Sequence, residues 1–163
     1  MAADKAGVAF VGLGRYSNVL ADAAGRAGNL EVVNCFTRTA ATRKEFAGKY
    51  GCRESDSLDG VLSDSEVEGV VVVTPHSTHA DIICQAASAW KNVFIEKPLT
   101  LTVADSKRAA DAASKAGVAL QVGHHRRFQG AARRIRQMID KGELGDLYQL
   151  ESNLSMPGGA LRS

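Results

Sequence analysis

Long apolar runs are missing from this 163-residue chain. The first, Val8 to Leu13, is broken by Gly12, follows Asp4 and Lys5, and has no small-residue cleavage site behind it in the right frame. Neither a signal peptide nor a membrane span is expected. Cysteine is scarce: Cys35, Cys52 and Cys84 lie far apart without C-x-x-C spacing, so free thiols in a reducing cytosol are the simplest expectation. With three prolines there is no proline-rich linker, and no low-complexity segment or repeat interrupts the chain. Charge of one sign is also lacking. Twenty Lys and Arg against 18 Asp and Glu leave a net +2, which gives no global pull toward nucleic acid or a membrane surface. What remains is 45% hydrophobic and 23% charged. A chain of this length fits one domain of ordinary size and buries about 70% of its unfolded surface, so it needs no disulfide or metal to fold.

Apolar runs alternate with helical patterns. Val8–Val11, Leu30–Phe36, Gly69–Val73, Val93–Ile95 and Val118–Val122 read as strands. Between them Val19–Ala27, Thr39–Tyr50, Leu58–Leu62, Thr78–Ala89 and Val103–Ala116 read as helices. Gly28, Gly51 and Gly117 stand where helix-ending glycines belong, and Thr78 with Asp81 resembles a capping box. The valine-rich runs suggest strands covered on both faces. The expected fold is α/β, a doubly wound parallel sheet of the Rossmann type. From His124 the pattern changes. Ala131, Ile135, Met138 and Ile139 mark one face of a helix, and Tyr148 to Met156 alternates as a half-buried strand. The expected division is a dinucleotide-binding domain over 1–123, then a crossover helix and the first strand of a mostly missing substrate domain over 124–163.

The turn Gly12-Leu13-Gly14-Arg15-Tyr16-Ser17 follows the first strand and opens the first helix. It is a G-x-G-x-x-S form of the dinucleotide fingerprint. Gly12 permits the tight turn, and Gly14 lets a pyrophosphate approach the helix N-terminus; Ser17 replaces the third glycine. Arg15 and Tyr16 lie within the same loop. At the tip of the second strand an NAD-binding site would carry a carboxylate for the ribose hydroxyls. The sequence instead reads Cys35-Phe36-Thr37-Arg38-Thr39, with Arg43 one turn later and Glu31 at the wrong end. Thr37, Arg38 and Thr39 suit a 2′-phosphate, so NADP is the expected cofactor, with NAD as the alternative. Thr74-Pro75, His79 and Glu96-Lys97-Pro98 close later strands on the carboxyl edge, where ligands sit in open parallel sheets. An ammonium at Lys97, beside a nicotinamide, could move a proton on a substrate oxygen; a surface lysine paired with Glu96 is the plain alternative.

The succession of Gly12-x-Gly14, Thr74-Pro75-x-x-x-His79, Glu96-Lys97-Pro98-Leu99 and Gly123-His124-His125-Arg126-Arg127-Phe128 resembles the Gfo/Idh/MocA oxidoreductases, the glucose–fructose oxidoreductase and inositol dehydrogenase family. The resemblance runs from residue 7 to about 155. It implies an NAD(P)-binding Rossmann domain, a second α+β domain, and a substrate of the sugar, cyclitol or diol class. By similarity Lys97 is the catalytic lysine at nicotinamide and substrate, and Arg127 lies near the nicotinamide end, completing a cofactor set of Gly12, Gly14, Arg15, Tyr16, Thr37, Arg38, Thr74, Pro75, His79, Glu96 and Arg127. No metal is implied. Two departures stand out: the family's Asp-x-x-x-His pair has no counterpart here, and Trp90 stands where the family often has glycine. A chain like this is expected to bind cofactor but not to turn over substrate alone, and to self-associate through its last strand. The alternatives are a non-catalytic dinucleotide-binding module and a methyltransferase-type Rossmann domain. Arg133, Arg134 and Arg136 raise a nucleic-acid reading, but sparse aromatics favour a solvated face.

Overall fold

The computed structural model describes residues 5–153. The chain divides into two compact units, residues 1–124 and 125–163. In the first unit the strands are β1 (Ala6–Val11), β2 (Leu30–Phe36), β3 (Arg53–Glu54), β4 (Gly69–Val72), β5 (Asn92–Ile95) and β6 (Leu120–Val122). The helices are α1 (Arg15–Ala27), α2 (Ala40–Tyr50), α3 (Leu58–Leu62), α4 (His79–Ser88) and α5 (Val103–Ala116). All strand pairs are parallel, in the order β3-β2-β1-β4-β5-β6. The direction of winding reverses between β1 and β4, the switch point where doubly wound sheets bind ligands.

Register decides what meets there. Phe36, Val11, Val72, Ile95 and Val122 are level neighbours across five strands. The residues that follow them, Thr37, Gly12, Val73, Glu96 and Gly123, therefore leave the sheet along one edge.

Side chains alternate between the two faces of each strand. One face packs Ala9, Val11, Val70, Val72, Val93 and Ile95 against Val61 and Leu62 of α3, Ile82, Ile83 and Ala86 of α4, and Ala109 of α5. The other packs Val8, Phe10 and Cys35 against Ala21 of α1 and Phe46 of α2. Within the first unit, among the described residues, α1 and α2 cover the second face over β1 and β2 but no helix covers it over β4–β6. There Val71, Phe94 and Gln121 line, with Leu20, Ala23 and Ala27 of α1, an apolar groove of about 400 Å³.

Most expected elements form within one to four residues of their predicted ends. Two details differ. The two-residue β3 was not foreseen, because Arg53 and Glu54 are polar and exposed; it is held by pairing with Asn34 and Cys35. The capping box at α4 does not form. Thr78 ends a 3₁₀ turn (His76–Thr78) in helical conformation, and its hydroxyl donates to the Pro75 carbonyl at 2.8 Å instead of capping the helix.

The second unit contains a 3₁₀ turn, His125–Phe128, and α6, Gly130–Asp140, which has no buried residue. On its own surface Arg136 pairs with Asp140 at 2.8 Å and Arg134 with Glu143 at 3.0 Å, as a solvated charged face would. The expected strand is not present over residues 148–153, which are irregular and exposed; Leu154 and Met156 lie outside the described residues. Alternating sequence makes a strand only where a neighbouring strand accepts its hydrogen bonds.

Candidate functional site

The turn after β1 is built for a close approach. Gly12 has φ 86°, and a Cβ there would stand 2.6 Å from the Val73 carbonyl oxygen and 2.8 Å from Thr74 Cγ2. No other residue fits both the conformation and the space. Gly14 is the N-cap of α1, and a Cβ added to it would meet nothing within 4 Å. No side chain caps this helix and its first turn carries no acid. Open space above an uncapped N-terminus, with the helix dipole behind it, is what a pyrophosphate requires. Ser17, in the third-glycine position, is fully buried and donates its hydroxyl to the Gly14 carbonyl, so the replacement braces the turn from within. Arg15 and Tyr16 are exposed beside it. Burial, and then the Glu96 carboxylate, raise the Tyr16 phenol above its ordinary value, which keeps it a neutral donor.

At the tip of β2, Arg43 shapes the loop. Its Nη1 donates to the carbonyls of Thr37 at 2.8 Å and Arg38 at 3.3 Å, while its Nε lies 3.9 Å from Glu54 Oε2. Arg43 is thereby occupied. The exposed Arg38 guanidinium makes no hydrogen bond or ion pair with any described residue. Glu31 lies at the opposite end of β2, as the sequence places it.

At the ends of β4–β6, Thr74 is half-buried and Pro75 exposed. His79, expected to touch the cofactor, is fully buried, with Nδ1 2.9 Å from the Pro98 carbonyl oxygen and 3.2 Å from that of Leu99, and Nε2 3.1 Å from that of Thr74. The ring has no exposed surface, and its two nitrogens face three backbone carbonyls. Glu96 is also nearly buried; its Oε2 accepts the Lys97 backbone N–H at 3.1 Å. A Cβ on Gly123 would come 2.8 Å from Glu96 Oε1, so the absence of a side chain at Gly123 makes room for this carboxylate. Glu96 engages the backbone of Lys97 and not its ammonium. Lys97 is exposed, and its Nζ has no hydrogen-bond or ion-pair partner among the described residues.

The edge of the first unit thus brings together Gly12, Gly14, Arg15, Tyr16, Thr37, Arg38, Thr74, Pro75, Glu96 and Lys97. Arg127 lies in the 3₁₀ turn of the second unit, exposed. The work of Arg43 and of His79 on backbone carbonyls was not legible in the sequence; only their proximity to the motifs marked them. Among the described residues no group of three His, Cys, Asp or Glu side chains could hold a metal ion. No helix there is long and apolar enough to cross a membrane.

A doubly wound parallel sheet with an uncapped glycine turn at its switch point defines a dinucleotide-binding fold. The chain belongs to the Gfo/Idh/MocA family, described as an oxidoreductase family with an NAD-binding Rossmann fold, whose model matches residues 6–124. It is 46% identical over 85 residues to scyllo-inositol 2-dehydrogenase (NAD(+)) of Bacillus subtilis (strain 168), covering 52% of this chain and 25% of that protein. Among solved structures, one described as an NADPH-dependent oxidoreductase from Desulfitobacterium hafniense DCB-2 aligns with a TM-score of 0.84 at 34% identity, over 88% of this chain and 41% of that one. The WlbA dehydrogenase of Bordetella pertussis, in complex with NADH and UDP-GlcNAcA, aligns with a TM-score of 0.86 at 26% identity, over 91% and 43%. The chain spans less than half the length of each of these relatives.

Proposed function

We propose that this chain is the cofactor-binding part of an NADP(H)-preferring dehydrogenase or reductase acting on a cyclitol, sugar or related diol. Residues 1–123 would form the dinucleotide domain, and 124–163 the start of the part that meets substrate. One observation carries the reading: the Gly12–Gly14 turn, the Arg38 guanidinium and the Lys97 ammonium share one sheet edge, and both cations lack a partner among the described residues.

The residues divide the work by position. Gly12, Gly14, Arg15 and Tyr16 receive the pyrophosphate at the N-terminus of α1. Thr37 and Arg38 receive the 2′-phosphate, Arg38 through a charge-assisted contact. Thr74 and Pro75 border the nicotinamide side, with Arg127 assigned there by family similarity. The nicotinamide, when bound, supplies the hydride chemistry. Lys97 Nζ would hold the substrate oxygen: as the ammonium it donates a proton to that oxygen during reduction and becomes the neutral amine, and as the neutral amine it accepts the hydroxyl proton during oxidation and becomes the ammonium. Glu96, engaged with the Lys97 backbone, orients that residue without neutralising its ammonium. The substrate class is drawn from the inositol and nucleotide-sugar relatives.

Titration with NADPH and NADH, followed by nicotinamide fluorescence, tests the cofactor assignment. NADPH should bind more tightly. Arg38→Ala should cost NADPH about 1.5–3 kcal/mol, the worth of a hydrogen bond to a charged group, and leave NADH unchanged. Tighter NADH binding, or equal losses for both nucleotides, rules out the 2′-phosphate role of Arg38; binding of neither rules out the cofactor site.

A further inference from the structure

We infer that His79 is a positioning residue: it ties the loop carrying Lys97 to the backing of the glycine turn, and so sets where Lys97 stands relative to a bound nicotinamide. The inference rests on the proposed role of Lys97 at that cofactor.

The β4–β5 ladder ends early. Its last backbone bond at this edge runs from the Glu96 N–H to the Val72 carbonyl at 3.0 Å, and Val72 pairs with Ile95. Beyond it the two chains separate into the loop at Thr74 and the loop at Lys97-Pro98-Leu99. The next bridge between them is the imidazole of His79. On one side it meets Thr74 at 3.1 Å, and on the other Pro98 at 2.9 Å and Leu99 at 3.2 Å. Carbonyl oxygens only accept and a neutral imidazole carries one N–H, so the ring donates on one side: a proton on Nδ1 serves the Pro98 and Leu99 carbonyls, and Nε2 is packed against Thr74 without donating.

The bridge joins functional parts at both ends. Thr74 backs the glycine turn, since its Cγ2 lies 2.8 Å from where a Gly12 Cβ would stand. Pro98 and Leu99 directly follow Lys97. The links therefore run from the glycine turn through Thr74, His79 and Pro98 to Lys97. His79 has no exposed surface, and its hydrogen-bond contacts are all to backbone outside its own helix. His76 meets it only edge-on, with ring centroids 5.5 Å apart. An apolar side chain of similar size would fill the space and leave the Pro98 and Leu99 carbonyls without this donor.

Three variants separate positioning from packing. His79→Asn places an amide N–H near the Nδ1 position and keeps a donor toward Pro98 and Leu99. His79→Gln places one near Nε2, toward Thr74, and none toward Pro98 and Leu99. His79→Leu keeps neither. The readouts are the melting temperature, NADPH affinity, and acylation of Lys97 by an amine-reactive reagent with and without saturating NADPH, followed by peptide mass spectrometry. In the parent chain NADPH should slow Lys97 acylation about tenfold. His79→Gln and His79→Leu should bind NADPH within about threefold of the parent yet lose most of this protection, whereas His79→Asn should retain it. If the Leu variant does not fold, the Asn and Gln pair decides. Protection that persists in His79→Gln, with only a lowered melting temperature, overturns the positioning role and leaves Lys97 at the cofactor. An unprotected Lys97 in the NADPH-bound parent overturns the reading of Lys97 itself, and the role of His79 with it.

Discussion

The two halves of the sheet reach the same functional edge by different means. On the β1–β2 side both faces are covered, by α1 and α2 on one and α3 on the other, and the loops at the edge are held by a packed core. On the β4–β6 side the described residues of the first unit cover only the face under α4 and α5. There the edge is fixed by individual buried polar groups: His79 between two loops, and Glu96 against the Lys97 backbone beside Gly123. The first half presents backbone and charge to a dinucleotide. The second presents one ammonium, whose placement demands more than its neighbouring helices supply.

The largest expected effect measures that asymmetry. Phe10 has no exposed surface and packs on Phe46 with ring centroids 5.5 Å apart. Phe94 lies two strands away on the same face, half-buried in the groove. Phe10→Ala should cost about 3–5 kcal/mol, the usual loss for a fully buried aromatic, and Phe94→Ala less than about half of that. Equal losses in denaturant unfolding would mean that the groove is covered in solution. Next comes the ammonium. If Lys97 has the proposed proton-transfer role, Lys97→Met should lower turnover by about 100-fold or more, while NADPH affinity stays nearly constant. A fall in affinity with unchanged turnover would assign Lys97 to binding alone.

Much of this edge was legible in the sequence because glycine and strand periodicity are local signals. Gly12 and Gly14 announce a turn that only certain backbones make, and runs such as Val70 to Val73 announce buried strands. The element order and the residues at the strand ends follow from these. Signals that depend on distant partners were not legible. His79 lies 19 residues from Pro98, and nothing near either residue says that a ring nitrogen will meet a carbonyl. Thr78 and Asp81 match a capping box, but the preceding 3₁₀ turn takes the hydroxyl away. Tyr148 to Asn153 alternates as a strand should, yet alternation specifies a face and supplies no hydrogen-bond partner.

The far end of the β1–β3 half offers a smaller test. Asp64 accepts from Asn34 on β2 and from Arg53 on β3, at 2.8 and 2.7 Å. Burial works against its carboxylate, but the hydrogen bonds from Arg53, Asn34 and the Glu66 amide win and hold it below the ordinary carboxylate value. A lowered folded-state value means that the unfolded chain binds the proton more readily. The stabilisation is therefore present above the ordinary Asp value of 3.8 and is lost as pH falls through the lower folded one. Between pH 6 and 3, melting temperature should fall less steeply in Asp64→Asn than in the parent. The effect should be modest, because half of the Arg53 side chain is exposed.

The smallest effect concerns how helices end. α1, α2 and α5 close on Gly28, Gly51 and Gly117, at φ 77°, 68° and 69°. Helix α4 closes differently: Ala89 keeps a negative φ, and the next residue, Trp90, takes φ 53°, the one non-glycine with positive φ among the described residues. For an L-residue that conformation costs roughly 1–2 kcal/mol. Trp90 recovers little by packing, since it is 75% exposed. Glycine would adopt the turn without strain but would lose more chain entropy on folding, about 0.5–1 kcal/mol relative to alanine. Trp90→Gly should therefore stabilise the domain by at most about 1 kcal/mol. Trp90→Ala separates the two contributions, because it keeps the strain and removes the ring. If Ala destabilises while Gly stabilises, backbone strain dominates at this position. If both destabilise, the exposed indole makes contacts that outweigh the strain, and the end of α4 on the half-covered side is held by a surface side chain where the other three helices need none.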